Sequence, residues 1–297
     1  MILRSVEMEF PGVEDAARFL VQTWGLAPAA HRTGAVYLRG SGEFPYLVGL
    51  FEATTEQVRS LTFVCDDLEL TELMQRAAAS GRPIREVTSD DPGAGYGFEI
   101  ELPEGEIFRF LTGTSTVAPL VGRDLPVKLT HVVMSSTDAE LSGDFAESVL
   151  GFKVSDRTKG MVFVRCNRSH HCIAFARSGY SSLNHIAFEM QDLDAVMRGI
   201  GRMRDIGKVP VWGPGRHGPG NNVFAYFIAP FGAVIEFSTA TNLVDDDYRT
   251  GSPADWTWPP NRIDQWGIST KNIAEITRAE QRFRFHRDWP VRTTRED

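Results

Sequence analysis

The chain has 297 residues, of which 42% are hydrophobic and 24% charged, so a disordered or fibrous protein is excluded and two domains fit. The net charge of −8 argues against a nucleic-acid partner, because phosphate binding needs a concentrated basic face. The three cysteines form no CxxC pair, the first residues lack a signal-peptide core, and no apolar run approaches the roughly 20 residues of a membrane span. We therefore expect a cytoplasmic protein without a membrane partner.

The first half of the chain predicts a strand, a helix and further strands, and then the same order again. FLVQTWGL (19–26) is typical of a helix that ends at a glycine. SLTFVCDDLEL (60–70) alternates like a half-buried strand and runs into an Asp-Leu helix start. LPEGEIFRFLTGT (102–114) places a Pro-x-Gly turn before a strand.

The second half repeats these three segments, which indicates a duplication. FAESVLGF (145–152), HIAFEMQDLDA (185–195) and APFGAVIEFSTAT (229–241) match them in the same order. Three pairs of anchor residues lie 126, 125 and 127 residues apart, namely Gly25 and Gly151, Asp67 and Asp192, and Gly105 and Gly232.

This element order predicts an α+β fold of two tandem modules. Each module consists of paired βαβββ repeats, in which curled mixed sheets form a barrel-like cavity and the helices lie outside. The predicted divisions are an N-terminal module (1–116), a linker (117–126), a C-terminal module (127–243) and a tail (244–297). We expect the tail to pack on the modules or to lie at an oligomer interface.

Alignment of the two halves reveals three polar residues that only the second half contains. His131, His185 and Glu236 fall opposite Ser5, Ser60 and Arg109, whereas the apolar residues around them persist in both halves. The shared positions therefore serve the fold, and the three polar residues are independent of it.

Each of these three residues lies in a short alternating strand, where an ionisable side chain is costly unless it is paired or bound to a metal. Two imidazoles and one carboxylate leave three positions of an octahedral ion open. This ligand set is typical of non-haem Fe(II) oxygenases, and Mn(II) is an alternative because such sites accept both ions. The sequence thus predicts a metal site formed by His131, His185 and Glu236.

The two-module arrangement and the segments THVVM, NHIAF and VIEFS resemble the type I extradiol ring-cleavage dioxygenases of the vicinal-oxygen-chelate superfamily. The resemblance covers almost the whole chain, including an N-terminal module without metal. It implies an enzyme that opens a catechol-type ring with O2 at a mononuclear Fe(II). It also implies a homo-oligomer, the common assembly of the family.

Three further residues match positions around the metal in that family. The resemblance implies that His171 is the acid/base beside the O2 site, that Tyr226 hydrogen-bonds a ring hydroxyl or the ring-opened intermediate, and that His217 lines the substrate side. Imidazole titrates near neutrality and a phenol donates a proton without carrying charge, so these roles are chemically sound. The residues alone leave open which of the adjacent His170 and His171 faces the metal.

The segment GPGRHG (213–218) satisfies a dinucleotide-binding pattern, but Pro214 interrupts it and a strand follows where a helix is required. We interpret its glycines as allowing a loop to approach the ligand pocket closely.

The same scaffold supports other chemistries. A glyoxalase-like isomerase draws ligands from both modules, which Ser5, Ser60 and Arg109 speak against. A dioxygenase of the hydroxyphenylpyruvate type also uses two His and one Glu, but it depends on a keto-acid substrate. A non-catalytic protein that binds a small aromatic, as in resistance, needs the pocket but not the three metal ligands.

The expected partners are a small aromatic diol and O2. Trp212, Val133 and Met134 favour an apolar or hydroxylated ring over a charged one. No carboxylate-binding arginine can be assigned to the pocket.

Overall fold

The structure, a computed structural model, describes residues 1–122 and 124–285. Arg123 of the predicted linker and residues 286–297 of the predicted tail lie outside the described residues. The helices in the described ranges are α1 (Val13–Phe19), α2 (Asp67–Ala79), α3 (Ala139–Ser148), α4 (Leu193–Asp205) and α5 (Ile273–Glu280), and α1 continues into a π-helical segment, Leu20–Trp24. In this part of the chain no helix is both long and apolar enough to cross a membrane.

Within residues 1–122 and 124–285, sixteen strands form two sheets, and one short strand joins the first sheet. The first sheet contains β1 (Ile2–Phe10), β2 (Ala27–Arg32), β3 (Ala35–Arg39), β4 (Val48–Glu52), β5 (Gln57–Val64), β6 (Ile84–Thr88), β7 (Tyr96–Glu101) and β8 (Ile107–Thr112). The second contains β9 (Lys128–Ser136), β10 (Lys153–Arg157), β11 (Met161–Arg165), β12 (Ile173–Arg177), β13 (Ser182–Glu189), β14 (Trp212–Arg216), β15 (Val223–Ile228) and β16 (Val234–Thr239). The short strand β17 (Arg284–Phe285) pairs with β5.

The strand order confirms the predicted α+β fold of paired βαβββ repeats. The first sheet runs β2-β3-β4-β1-β5-β8-β7-β6, and the second runs β10-β11-β12-β9-β13-β16-β15-β14, the same order with each strand shifted by eight. Both sheets are mixed, since β1 and β4, β5 and β8, and their counterparts pair in parallel. The sheets curl but stay open, so neither is a closed barrel. The predicted residue limits of the modules stay a prediction.

Both halves also share two β-bulges, in which one strand carries an extra residue. Arg4 in β1 and Thr130 in β9 are the extra residues of one bulge, and Arg59 in β5 and Asn184 in β13 are those of the other. Bulges turn side chains and increase twist, and they often lie beside functional sites. The backbone of the site was therefore present before the two halves acquired different side chains.

The two halves share one continuous hydrophobic core. The π-helical segment of the first half inserts Trp24, which stacks on Phe237 of the second half with ring centroids 3.6 Å apart. In the opposite direction, Phe152 contacts Phe63 edge to face at 5.4 Å. Reciprocal aromatic packing of this kind holds the second sheet, which carries the polar residues, firmly against the first.

The described part of the tail packs on both sheets. Phe283 and Phe285 are buried in the common core, and β17 extends the first sheet. Ile276 and Ala279 of α5 pack against the second sheet. The oligomeric state and the cytoplasmic location stay predictions.

A buried carboxyl group in the first half makes stability depend on pH. Glu106 is fully buried, and this burial raises the pKa of its carboxyl to about 7 from an ordinary 4.5. Between pH 4.5 and about pH 7 the unfolded chain releases the proton of the Glu106 carboxyl while the folded chain keeps it. The free energy of unfolding therefore falls as pH rises through this range. The loss amounts to about 3 kcal/mol above pH 7, at about 1.4 kcal/mol per pKa unit.

We therefore expect Glu106→Gln to be more stable than the parent at pH 8 and much closer to it at pH 5, measured by urea unfolding. Glu147→Gln, an exposed change on α3, is the matched control and should show no such pH dependence. An equal gain at both pH values would contradict the expectation.

Candidate metal centre

Five side chains form one row across the second sheet, which we call the cross-strand row. Register pairs His131 with Ala187, Ala187 with Glu236, Glu236 with Tyr226, and Tyr226 with Trp212, across β9, β13, β16, β15 and β14. Directly paired residues point to the same face of a sheet. The ten-residue spacing of Tyr226 and Glu236 is thus the geometry of an antiparallel hairpin, which brings the phenol beside the carboxylate.

The three predicted ligands converge on the open space above Ala187. His185 lies two residues before Ala187 on β13 and so shares its face. The Nε2 atoms of His131 and His185 are 3.3 Å apart, and Glu236 Oε2 lies 3.2 Å from the first and 3.1 Å from the second. Neighbouring ligands on an octahedral ion with bonds of about 2.1 Å are roughly 3 Å apart, so these atoms can hold one ion together.

The surroundings of the three side chains fit a metal as well. His185 Nδ1–H donates to Asn184 Oδ1 at 2.8 Å, which leaves Nε2 free to bind an ion. Asn222 donates to Glu236 Oε1 at 3.3 Å and directs Oε2 toward the histidines. Burial opposes ionisation of Glu236, but the imidazoles beside it hold the pKa of its carboxyl well below the ordinary value. A fully buried carboxylate beside two imidazole nitrogens is the donor set of a divalent cation.

The equivalent row in the first sheet holds an ion pair instead. Arg109 lies at the position of Glu236, and its guanidinium contacts Glu7 at 3.3 Å and Asp91 at 2.8 Å. Ser60 and Thr62 donate to the same Glu7 carboxylate at 2.9 and 3.0 Å. The first half therefore places a cationic side chain, paired with two carboxylates, at the position where the second half has Glu236.

His171 lies at the edge of the metal centre, with its ring centroid 4.4 Å from that of His131. The segment 170–171 lies in the loop before β12 rather than in a strand, so the two histidines do not simply alternate. Burial and the neighbouring histidines lower the pKa of His171 well below its ordinary value, which keeps this imidazole neutral.

His170 points away from the cavity, toward Asp156. Its Nε2–H donates to Asp156 Oδ2 at 2.7 Å, and its Nδ1 lies 3.0 Å from His171 Nδ1. Asp156 is held in turn by Gly251 N at 2.8 Å and by the Tyr248 hydroxyl. This chain of contacts makes His171 Nδ1 the donor to His170 and leaves His171 Nε2 unprotonated.

Tyr226 and His217 contact each other at the other side of the site. The Tyr226 hydroxyl and His217 Nε2 are 2.9 Å apart, and the His217 ring stacks on Phe224 at 4.0 Å. Burial lowers the pKa of His217 to about 3 and raises the pKa of Tyr226 well above its ordinary value. Both side chains are thus neutral near pH 7, and both line the same cavity as His131 and His185.

This cavity, of about 380 Å³, is the space in which a small ligand fits. Val133 and Trp212 line it as predicted, whereas Met134 alternates to the other face and packs in the core. Trp256 and Trp258 of the tail close part of it. Residues 213–216 of the glycine-rich segment lie in β14 rather than in a loop. Its Gly218 lines the cavity, where a Cβ would lie 2.5 Å from the Trp258 ring, and just after the segment a Cβ on Gly220 would lie 3.0 Å from His171 Cε1.

Some residues of the site have no signal in the sequence. Ala187 lies in the row beside Glu236 and has a small side chain. Asn222 holds Glu236, Asp156 holds His170 and Lys271 lines the cavity, and all three come from segments in which we recognised no motif for them. Only Asn184 has a trace of one, since it precedes His185 in NHIAF.

Comparison with known proteins finds relatives along most of the chain. Residues 128–237 match the Glyoxalase/Bleomycin resistance protein/Dioxygenase superfamily. Metapyrocatechase 2 of Cupriavidus necator is 27% identical over 294 residues, which cover 88% of this chain and 87% of that protein. Biphenyl-2,3-diol 1,2-dioxygenase of Metapseudomonas furukawaii is 29% identical over 187 residues, 57% of this chain and 59% of that protein. The crystal structure of a Mn(II)-bound glyoxalase from Novosphingobium aromaticivorans is 31% identical, with a TM-score of 0.86 over 92% of each chain.

Proposed function

The chain belongs to the Glyoxalase/Bleomycin resistance protein/Dioxygenase superfamily, and from this we propose that it is an extradiol dioxygenase of aromatic-compound degradation. The observation that carries the proposal is the convergence of the ligand atoms of His131, His185 and Glu236 within 3.3 Å of one another beside a cavity of about 380 Å³. The names of the metapyrocatechase and biphenyl-diol dioxygenase relatives support it.

We propose Fe(II) as the ion, held by these three side chains. When bound, it would template a diol and O2 side by side and pass electron density from the ring to oxygen. One aromatic carbon–carbon bond next to the diol breaks and both oxygen atoms enter the product, so no external reductant is needed. Mn(II) is the alternative, and the solved relative that contains Mn(II) supports testing it.

The neutral residues around the ion transfer protons and form hydrogen bonds to the substrate. His171 Nε2 accepts the proton that a diol loses on binding, and it returns this proton to the product. The Tyr226 hydroxyl donates a hydrogen bond to a ring oxygen, and His217 keeps that hydroxyl oriented at 2.9 Å. The tail tryptophans and apolar walls exclude water from the reacting atoms.

The glyoxalase relative makes an isomerase the second candidate. Against it, the equivalent row of the first sheet offers Arg109 in an ion pair rather than a metal ligand. A keto-acid dioxygenase or a non-catalytic binding protein remains the further alternative, and the cavity alone would suit either.

The decisive experiment uses anaerobically purified protein loaded with Fe(II) or with Mn(II). We expect O2 uptake equal to the amount of catechol consumed, with a yellow ring-opened product, across at least part of a catechol panel. The hemithioacetal of methylglyoxal and glutathione, and 4-hydroxyphenylpyruvate, serve as comparison substrates. Turnover of either one without O2 uptake on any catechol would reject the proposal.

Asp156 offers a test of the proton-handling role of His171 that leaves the metal alone. In Asp156→Asn the carboxylate that orients His170 loses its charge, so His171 Nε2 is held in the accepting state less firmly. We expect kcat to fall about tenfold to a hundredfold with unchanged iron content and little change in KM. Asp246→Asn is the control, because it removes an exposed carboxylate in the tail that lies away from His170. A parallel loss of iron would show that Asp156 supports the fold instead.

A further inference from the structure

A lysine from the tail continues the cross-strand row beyond its last ring. Lys271 precedes α5 and lines the cavity, and its Nζ lies 4.5 Å from the centre of the Trp212 ring. Trp212 stacks on Tyr226 at 5.1 Å, and Tyr226 contacts His185 edge to face at 4.9 Å. The ammonium group is thus separated from the metal ligands by two aromatic rings.

The distance from the metal ligands to Lys271 suits a substituent on the aromatic ring rather than the diol itself. Neighbouring strands lie about 4.8 Å apart, so Trp212 is roughly 10 Å from Glu236 along the sheet. A diol held at the metal centre would place its ring beside Tyr226. A side chain of one or two carbons on that ring would then extend toward Lys271.

Lys271 forms no close ion pair. Among the described residues no carboxylate lies within 4 Å of its Nζ, and its ring contact with Trp212 is a cation–π interaction. Glu280, which also lines the cavity, attracts the ammonium group from farther away, and its own carboxyl accepts hydrogen bonds from Asn184 and Tyr180. Burial lowers the pKa of Lys271 in spite of Glu280, so the charge is only partly compensated. A partly dehydrated ammonium group without a direct ion pair is a binding group for an anionic ligand.

The ammonium group is also held in position. Asn272 N donates to Val211 O at 2.8 Å, which fixes the backbone next to Lys271 against the strand that carries Trp212. Asn272 caps α5, and Ile276 of that helix is buried against the sheet. Because the ammonium group already lies over the Trp212 ring, little side-chain freedom is lost when a ligand binds.

We propose that Lys271 binds the carboxylate of a short acidic side chain on the aromatic ring, so that the preferred substrates are diols of aromatic acids. This inference rests on the proposed function above, and it reverses the expectation of an uncharged ring. Apolar walls formed by Val133, Met161 and Phe163 then enclose the ring itself.

The test compares 3,4-dihydroxyphenylacetate with its uncharged amide, which has nearly the same shape. We expect Lys271→Met to raise the KM of the acid about tenfold or more, the usual worth of a charged hydrogen bond, and to leave the KM of the amide within about twofold. Lys159→Met removes the other lysine at the cavity, an exposed one, and should change neither value. Lys271→Arg should keep the preference for the acid.

Reversing the charge at position 271 should create a preference for a cationic catechol, instead of only removing the preference for an acidic one. Lys271→Glu should bind dopamine, a cationic catechol, more tightly than 3,4-dihydroxyphenylacetate, with an unchanged melting temperature as the check on folding. The inference is overturned if the parent protein treats acid and amide alike, or if Lys271→Met weakens both equally.

Equilibrium binding separates this inference from the proposed function. Anaerobic calorimetry of the metal-loaded protein yields a Kd for the acid and for the amide whether or not either is cleaved. If no catechol is cleaved but the acid binds at least tenfold more tightly than the amide through Lys271, the dioxygenase proposal fails and the anion site stands. If catechols are cleaved without any preference for the acid, only the anion site fails.

Discussion

Glu236→Gln should abolish iron binding and lower kcat/KM at least about 10³-fold, because the set of three ligands would lose its carboxylate. The glutamine keeps the shape of the side chain, and Asn222 can still hydrogen-bond its oxygen. Two neutral imidazoles and an amide, fully buried, then leave both charges of a divalent ion uncompensated. Iron per chain by mass spectrometry and O2 uptake with a catechol measure the two effects.

Glu189→Gln is the matched control for this prediction. Glu189 ends β13, the strand that carries His185, and pairs with Lys128 of β9 at 3.3 Å, where both side chains are partly exposed at the end of these central strands. This change should leave iron content and activity as in the parent. Retention of a full complement of tightly bound iron by Glu236→Gln would show that the carboxylate is not a ligand.

Arg109→Met in the first sheet should cost about 3 to 5 kcal/mol of the free energy of unfolding. The guanidinium compensates the buried Glu7 and the half-buried Asp91, and its removal leaves two anions without an ion-pair partner among the described residues. Arg109 also donates to Thr62 at 2.9 Å and to the Tyr46 hydroxyl at 3.1 Å. Urea unfolding measures the loss, and the iron content of the folded fraction should not change, since the ligands lie in the other sheet.

Arg59→Met provides the contrast on the same sheet. Its partner Glu9 lies 3.7 Å away and Arg59 is nearly half exposed, so this change should cost less than about 1 kcal/mol. Adding Glu7→Gln to Arg109→Met should recover part of the lost stability, because one buried charge disappears. Equal costs for Arg59→Met and Arg109→Met would refute the buried ion-pair account.

These two predictions describe opposite uses of the same backbone. Ser5, Thr62 and Arg109 occupy in the first sheet the positions of His131, Ala187 and Glu236 in the second. One row became a rigid ion-pair network that stabilises the first half. The row in the second sheet became a group of metal ligands around Ala187. Its buried carboxylate, Glu236, needs a cation to compensate its charge.

Part of the site can be predicted from the sequence, because the alternation of apolar and polar residues along a strand is a local property. His131, His185 and Glu236 stand out as polar residues in apolar strands, and the duplication provides a built-in comparison for each. The ten-residue spacing of Tyr226 and Glu236 likewise follows from hairpin pairing. These signals do not require knowledge of how distant segments meet.

The choice between His170 and His171 illustrates the opposite case. Both lie in a loop, where side-chain direction depends on what packs around it, and Asp156 and Gly251 decide it from far along the chain. Met134 shows the same limit on a strand, because one place in the register separates a cavity residue from a core residue.

The duplication, the α+β class and the three candidate ligands can be read from the residues alone, since periodicity and repetition are recorded residue by residue. Three other features appear once the chain has folded: the small Ala187 lies in the row between His131 and Glu236, Arg109 forms ion pairs at the equivalent position of the first sheet, and Lys271 of the tail lines the cavity. These features arise from contacts between segments far apart in the chain, whose geometry depends on bulges and on the packing of both sheets together.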